Sequence, residues 1–518
     1  MKQPSHRERP ARERLAAVLG FGRTEAAAFV LLLAVPALVP IPFGGITPEG
    51  RLVVQALSFL IALLTFSSPA GRAHPLGPVR VPVALVAGLG LLGLLQLLPL
   101  PGALLGAVSP RALAIYREAA ATASVLGGPA PLSPRISISP GETWDSVLLV
   151  LSCAALLLSS FVLLRLRLRR RLFFGALLAA AAVHVLVAVA SRPEGDRLAG
   201  PFVNPNHFAG WLEIALPVAV ALLFLATTRP LRPFRKAPST DLLERRLVAG
   251  AACVLLLGTL ATGLGLTRSR GGLLAALAAA AFLLGLLVLF PAHAPHGRRA
   301  ALRAWISAHG TAIAALAAAL LFVAVASGSR PLLRFVATDP RDLDSEGRLL
   351  IWRLSVAAWK EFPVLGSGLG SYLEAFRPVQ PAELPGFVEW AHSDPLQLLV
   401  TGGLVGLALA AAAWVALFLG LARALQSQPH REERAFALAG LAALLSLGLH
   451  GFVEFNLSLP AIPATLAAVC GASLAATAWR RHDEADDAAV PAPRGTSLAS
   501  ANDGASPEST LTEKNARP

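Results

Sequence analysis

Four short stretches of the chain gather residue types that can hold an anion or move a proton. The first is Arg197-Leu-Ala-Gly-Pro-Phe-Val-Asn204-Pro-Asn206-His207. Asn-Pro-Asn is a turn that can cap a following helix, so the stretch reads either as a plain helix start or as a polar rim where Arg197 meets an anion. The second is Thr267-Arg268-Ser269-Arg270-Gly271-Gly272, two arginines in a tight turn with no acid close in sequence. A structural ion pair is one reading. An anionic ligand is the stronger one, because guanidinium groups grip phosphate oxygens bidentately. The third is Gly347-Arg348 with Trp352-Arg353, where Arg348 could reach a ligand or be solvated charge on an amphipathic helix. The fourth is Trp390-Ala-His392-Ser393-Asp394-Pro395-Leu-Gln397. Asp394 suits an N-cap, Pro395 the first helical position and Gln397 a capping-box partner. His392 then stands just before a helix N-terminus, whose free N–H groups and dipole favour an anion.

Other stretches carry weaker signals. In His450-Gly-Phe-Val-Glu454-Phe-Asn456, Glu454 and Asn456 either line a polar site or mark a helix end. Gly366-Ser-Gly368-Leu-Gly370 looks like a phosphate-binding loop, but no strand precedes it and no βαβ unit fits, so it reads as a turn. Asp342-Leu-Asp344 in an acid-containing loop reads as chance rather than a metal site. Cys153, Cys253 and Cys470 all lie in apolar runs, which argues against a disulfide framework or a cysteine-ligated metal. No metal and no cofactor is expected.

The elements that must position these residues follow from composition. Of 518 residues, 55% are hydrophobic and 15% charged, against about 25% charged in an ordinary globular chain. That excludes disorder for most of the length. Apolar runs of about 20 residues, the length a helix needs to cross a bilayer, recur at 26–43, 52–67, 79–98, 143–164, 172–191, 207–227, 247–266, 271–290, 308–328, 395–422, 435–452 and 457–479. The chain is therefore expected to be an all-α polytopic membrane protein of about 12 transmembrane helices. The net charge of +14 sits in short basic clusters between these runs, as topogenic signals do, so nucleic acid is not an expected partner. With the N-terminus placed inside, the clusters at Arg7–Arg14, Arg165–Arg171, Arg229–Arg246 and Arg298–Arg303 all fall on the cytoplasmic side. Both ends are then cytoplasmic. The arginines of 268–270 stand out by falling on the other side. Ionisable residues at membrane depth are costly, so each is a functional candidate.

The expected organisation is a basic cytoplasmic segment 1–25 and N-terminal helices over 26–190, with a Pro- and Gly-rich outside loop at 99–142 holding a short helix near 110–124. A catalytic membrane region follows over 191–480, with a large outside loop at 329–394 before the tenth span, and then a disordered tail over 481–518. Within the large loop, 346–361 reads as an amphipathic helix that stops before Pro363, with Leu349, Leu350, Trp352, Val356 and Trp359 on one side.

At these residues the chain resembles the O-antigen ligase and polymerase family of bacterial envelope glycosyltransferases, over about 190–475. The family pattern is an Arg with a Leu four residues later, then a His followed by Ser, Asn or Gln and, after nine more residues, a Gly. Arg270-Gly-Gly-Leu-Leu274 fits the first part; His392-Ser393, nine residues and Gly403-Leu-Val-Gly406 fit the second. The resemblance implies a glycosyltransferase C-like fold in the bacterial inner membrane, with a metal-independent, inverting transfer on the periplasmic face. The implied donor is a glycan on undecaprenyl diphosphate. The implied acceptor is lipid A–core, another lipid-linked glycan or a protein hydroxyl. His392 and Arg270 are then the catalytic residues. Arg197, Arg268, Arg270 and Arg348 would bind the diphosphate, and Asn204, Asn206, His207, Ser393 and Glu454 would form a polar rim. His392 would orient or deprotonate the acceptor, or else bind diphosphate as a cation.

Two other classes compete. A transporter of lipid-linked sugars or small solutes suits the helix count, but two six-span halves should be similar, and the polar residues here crowd one face. A scaffold has no need of arginines at depth. Ligase and polymerase share the loop motifs, and the acceptor, the sugar and the oligomeric state are not legible.

Overall fold

The computed structural model describes residues 22–68, 71–72, 75–128, 133–193, 195–227, 240–289, 347–384, 386–427 and 431–478. Among them the chain is all helical. The helices are α1 (Arg23–Leu38), α2 (Pro48–Ser67), α3 (Arg80–Leu97), α4 (Gly102–Val108), α5 (Pro110–Leu126), α6 (Pro140–Leu163), α7 (Arg167–Ser191) and α8 (Pro205–Thr227). They continue with α9 (Thr240–Thr267), α10 (Arg270–Leu289), α11 (Arg348–Glu361), α12 (Tyr372–Phe376), α13 (Asp394–Ser427), α14 (Arg431–Gly451) and α15 (Ala461–Ala478).

Eight of these, α2, α3, α6, α7, α8, α9, α13 and α14, are long and apolar enough to cross a membrane. The protein is therefore multi-pass. The other spans expected from sequence are shorter or lie wholly or partly outside the described residues. At 16 residues, α1 rises about 24 Å, less than a hydrocarbon core of about 30 Å. α10 and α15 are apolar helices as well, over the described stretches Arg270–Phe282 and Ala461–Ala476. The stretch 308–328, the acids Asp342 and Asp344, the tail and residues 1–21 lie outside the described residues.

Small side chains let the helices pack closely. α8 lies between α14 and α9, α6 between α15 and α3, and α13 against α3 and α14. The core that joins them runs from Phe29 and Phe161 through Phe173, Phe174, Phe208 and Trp211 to Phe436, all buried.

A second apolar cluster forms a layer at one end. It joins Leu105, Leu113 and Ile136 of the first loop to Ile351, Phe362, Tyr372 and Phe376 of the second. The short helix expected near 110–124 is α5, and the amphipathic helix is α11, which ends at Glu361. Its buried face differs from the expected one. Ile351, Ser355 and Ala358 are buried, while Leu349 and Val356 are exposed. The hydroxyl of Tyr372, 2.7 Å from Ser355 Oγ, turns the helix so that a polar residue faces inward.

The segment Gly366–Gly370 is a turn, docked on a break in α13. Gly403 interrupts that helix at φ +64, a conformation that disfavours any residue with a Cβ. A Cβ there would also stand 2.3 Å from Val364 O. The break frees backbone groups, and the turn satisfies them. Leu404 and Val405 N–H donate to Pro363 and Val364 carbonyls, and Ser367 and Gly368 N–H donate to Val400 and Thr401 carbonyls. Buried Gln96 completes the seam, donating to Leu365 and Thr401 carbonyls and accepting from Leu369 N–H.

Candidate active site

The polar stretches singled out in the sequence converge at the end of the bundle where α7, α9 and α14 finish and α8, α10 and α13 begin. Each chain segment is set there by local rules. Asn204 Oδ1 accepts from Asn206 N–H at 2.8 Å, a turn that starts α8 at Pro205. Ser269 Oγ accepts from Gly272 N–H at 3.2 Å and caps α10. Gln397 Oε1 reaches back to Ala391 N–H at 2.7 Å, six residues away, rather than to the expected N-cap Asp394, so the expected capping box does not form. Asp394 departs from its expected N-cap role: its carboxylate turns away and accepts from Leu457 N–H at 3.0 Å. That contact ties the start of α13 to the α14–α15 turn.

Glu454 is the hub. Its side chain is 1% exposed. Oε1 lies 3.2 Å from Nδ1 of His392. Oε2 accepts from Asn206 Nδ2 at 2.7 Å and from Arg348 Nη2 at 3.4 Å. Burial alone would raise this carboxyl above 4.5; the hydrogen bond from His392 and the nearby positive charge, that of Arg348 included, outweigh it and hold the group down at about 2. An ionised carboxylate carries no proton, so Nδ1 must be the donor in the His392 contact. In the neutral ring that leaves the lone pair on Nε2.

The arginines form an arc beside this hub. Arg197 donates to Thr267 O at 2.9 Å and to Asn206 Oδ1 at 2.5 Å, linking the arginine turn to the Glu454 network. Arg268 donates to Gly195 O, and Arg348 also to Val453 O. Arg270 opens α10. Arg268 and His392 both adopt left-handed backbone, at φ 52 and φ 49. That conformation costs about 1–2 kcal/mol for a residue with a Cβ, and surrounding structure must hold it there.

The structure thus brings Arg197, Arg268, Arg270, Arg348, His392, Asn206 and Glu454 to one end. The residues expected as a rim divide. Asn204 and Asn206 are half-buried, whereas His207, Ser393 and Glu454 are buried below the surface. His207 Nδ1 lies 3.2 Å from Asn456 Oδ1. Phe455 is a further member that sequence reasoning missed. It stacks on Trp390 at 4.9 Å and meets the His392 ring edge-on at 5.0 Å. Also missed is the pairing of Glu213 with His450 beneath the arginine turn. Both are ionisable residues in apolar helices, so the signal for them was present.

Fold and site together define a multi-pass membrane protein with an arginine-rich polar centre around a histidine–carboxylate pair at one end of its helices. A family model described as O-antigen ligase matches residues 254–411. The resemblance read from sequence is borne out over that stretch, which holds Arg268, Arg270, Arg348 and His392, and it supports a ligase- or polymerase-type, glycosyltransferase-like function. Arg197, Asn206 and Glu454 lie outside the matched residues. Nothing among the curated proteins matches the chain.

Proposed function

We propose that the protein transfers a glycan from undecaprenyl diphosphate to an acceptor hydroxyl, on the periplasmic face of a bacterial inner membrane. The observation that carries this reading is the His392–Glu454 pair beside the arginine arc. Sugar transfer from a diphosphate needs two things: a group to take the acceptor proton, and cations to stabilise the charge that builds on the leaving group.

In this reading the acceptor hydroxyl approaches Nε2 of His392. As its oxygen bonds to the anomeric carbon, the bond from that carbon to the diphosphate oxygen breaks on the opposite side, so the configuration inverts. The proton passes to Nε2. Glu454 holds the neutral ring in the productive tautomer and then balances the imidazolium that forms. Arg270, with Arg197 and Arg268, receives the diphosphate. Low dielectric near the membrane strengthens these contacts. Arg348 anchors Glu454 and reaches the same surface. No metal is required by this scheme. Ligase and polymerase differ only in what offers the hydroxyl: a lipid A–core or protein in the first case, another lipid-linked glycan in the second.

The test is the size of the undecaprenyl-diphosphate-linked glycans in a deletion strain, released by mild acid and compared with the parent. Long chains accumulate if the final transfer is lost, as for a ligase. Single repeats accumulate if polymerisation is lost. Complementation by the wild type, and its failure with His392→Ala or Arg270→Ala at normal protein levels, completes the expected result. An unchanged pool, or full complementation by both variants, sinks the reading and favours a transporter or scaffold.

A further inference from the structure

Below the arginine turn lies a pair of ionisable residues that the mechanism does not use. Glu213 of α8 is 0% exposed and His450 of α14 is 1% exposed, and Nδ1 of the histidine stands 2.8 Å from Oε1 of the glutamate. Ser446, one turn before His450, donates its hydroxyl to the other oxygen at 2.8 Å. Such a pair between apolar helices is costly, and a well-packed apolar pair would hold the helices at least as well.

What rests on the pair is the first turn of α10. Gly271 and Gly272 follow Arg270 directly. A Cβ on Gly271 would stand 3.0 Å from His450 Cδ2. A Cβ on Gly272 would stand 2.8 Å from Glu213 Oε1, 3.0 Å from Ala209 Cβ and 3.2 Å from His450 Cε1. Only a residue without a side chain lets α10 sit this close. A carboxylate at the end of a flexible side chain would ordinarily move aside at little cost. Here Ser446 donates to one oxygen and the buried His450 ring stands 2.8 Å from the other, so the carboxylate has little room to move. Above the turn, the Ser269 hydroxyl caps the helix, and Ser269 N–H donates to Thr267 Oγ1 at 3.2 Å. The residue between cap and pair is Arg270.

We propose that Glu213 and His450 are positioning residues: together they form a fixed polar seat that sets the depth and direction of Arg270. This rests on the reading that Arg270 meets the diphosphate. A misplacement of about 1 Å can cost on the order of a hundredfold, so a smaller shift of Arg270 is expected to cost about tenfold.

The experiment uses the full chain in lipid nanodiscs and undecaprenyl diphosphate as the probe, with undecaprenyl monophosphate as the control. Affinity and thermal midpoint are measured for wild type, Arg270→Ala, Gly272→Ala, Glu213→Asp and the Gly272→Ala/Glu213→Asp double variant. Gly272→Ala is expected to weaken diphosphate binding about tenfold with little change in midpoint, since the helix preference of alanine offsets much of the crowding while its methyl group still lifts the turn off the carboxylate. Shortening that carboxylate makes room, so the double variant should recover most of the loss. Three results overturn the proposal: wild-type affinity in Gly272→Ala, simple additivity in the double variant, or a midpoint that falls in step with affinity. If Arg270→Ala binds the diphosphate normally, the diphosphate reading itself fails. If Arg270→Ala loses binding while Gly272→Ala keeps it, only the seat fails.

Discussion

Arginines cluster at both ends of the helix bundle, and their surroundings differ. At the end opposite the site, Arg169 and Arg170 are fully buried, and each meets a buried carboxylate at 2.6 Å, Glu25 and Glu433 respectively. Arg165 joins Glu25 and Arg167 joins Glu433, so that α1, α7 and α14 are laced together. Arg170 also donates to the carbonyls of Leu164 and Arg165, and Arg169 lies over the ring of Phe29. At the site end, the buried carboxylate of Glu454 faces the half-buried side chains of Arg348 and His392, 20% and 30% exposed, and the other buried glutamate, Glu213, meets a histidine rather than an arginine. At the centre of the first network both Arg169 and Arg170 are closed to solvent, with Arg165 and Arg167 partly exposed around them, whereas the second keeps its cationic groups at a surface that a ligand can reach. Arginine number therefore says little about function in this chain. What distinguishes the brace from the binding centre is the burial of the paired arginine, complete for Arg169 and Arg170 and partial for Arg348.

The comparison can be broken most forcefully at the brace. Glu433→Gln leaves Arg170 buried without its counter-charge, and removing one partner of such a pair costs about 3–5 kcal/mol. The expected outcome is poor accumulation and a lower thermal midpoint, with unchanged activity per folded molecule. Loss of specific activity in the folded fraction would contradict the assignment of this end as structural. At the site end the pattern should invert. His392→Ala and Arg270→Ala should accumulate normally and lose about a hundredfold to ten-thousandfold in transfer rate, the range for a proton-transfer group or a charge-stabilising donor.

Glu454 sharpens the contrast, because it is as buried as the brace carboxylates but belongs to the site. Glu454→Gln can present its amide to Nδ1 of His392 and so favour the tautomer with Nε2 protonated; a loss of ~100-fold or more in rate follows. Its linkage has a definite sign. The folded-state pKa, about 2, lies below the ordinary 4.5. The stabilisation from this carboxylate is therefore complete above about 4.5 and is lost as pH falls toward 2. Between about pH 5 and 9 the wild-type rate profile should carry no limb from Glu454. A limb in that window that vanishes in Glu454→Gln would overturn the ionised assignment.

How much of this was readable beforehand depends on the range of the interactions. Eight of the spanning helices, the turn at Asn204 and the termination of α11 before Pro363 are set by neighbours in sequence, and they stand where the pattern placed them. The arginine turn and His392 were legible because charge at the end of an apolar run is conspicuous. The brace was read only as a cytoplasmic basic cluster, since Arg169 and Glu25 are 144 residues apart and Arg170 and Glu433 are 263 apart. Nothing local to Arg165–Arg171 reveals that two of its members are buried. The central place of Glu454 was hidden for the same reason, with His392 and Asn206 at separations of 62 and 248 residues. The buried face of α11 was misread because a tyrosine hydroxyl made Ser355 an acceptable inward residue.

The smallest expected effect is the most exacting control on the comparison. Arg171 neighbours Arg170 on the same turn of α7 and pairs with Glu432, next to Glu433, so residue type, helix and partner class are nearly held constant. Burial changes most: the Arg171 side chain is 48% exposed, while that of Arg170 is 0% and also donates to two backbone carbonyls. An exposed pair gains little in high dielectric, loses side-chain freedom and is screened by salt, for a net of about 0.2–1 kcal/mol. Arg171→Ala should therefore lower the thermal midpoint slightly at low ionic strength, with the difference shrinking as salt is added. Arg170→Ala should lower it by several times as much at any salt concentration. Equal losses in the two variants would mean that proximity to acid, rather than burial, decides what an arginine does here, and the distinction between the two ends would have to be drawn on other grounds.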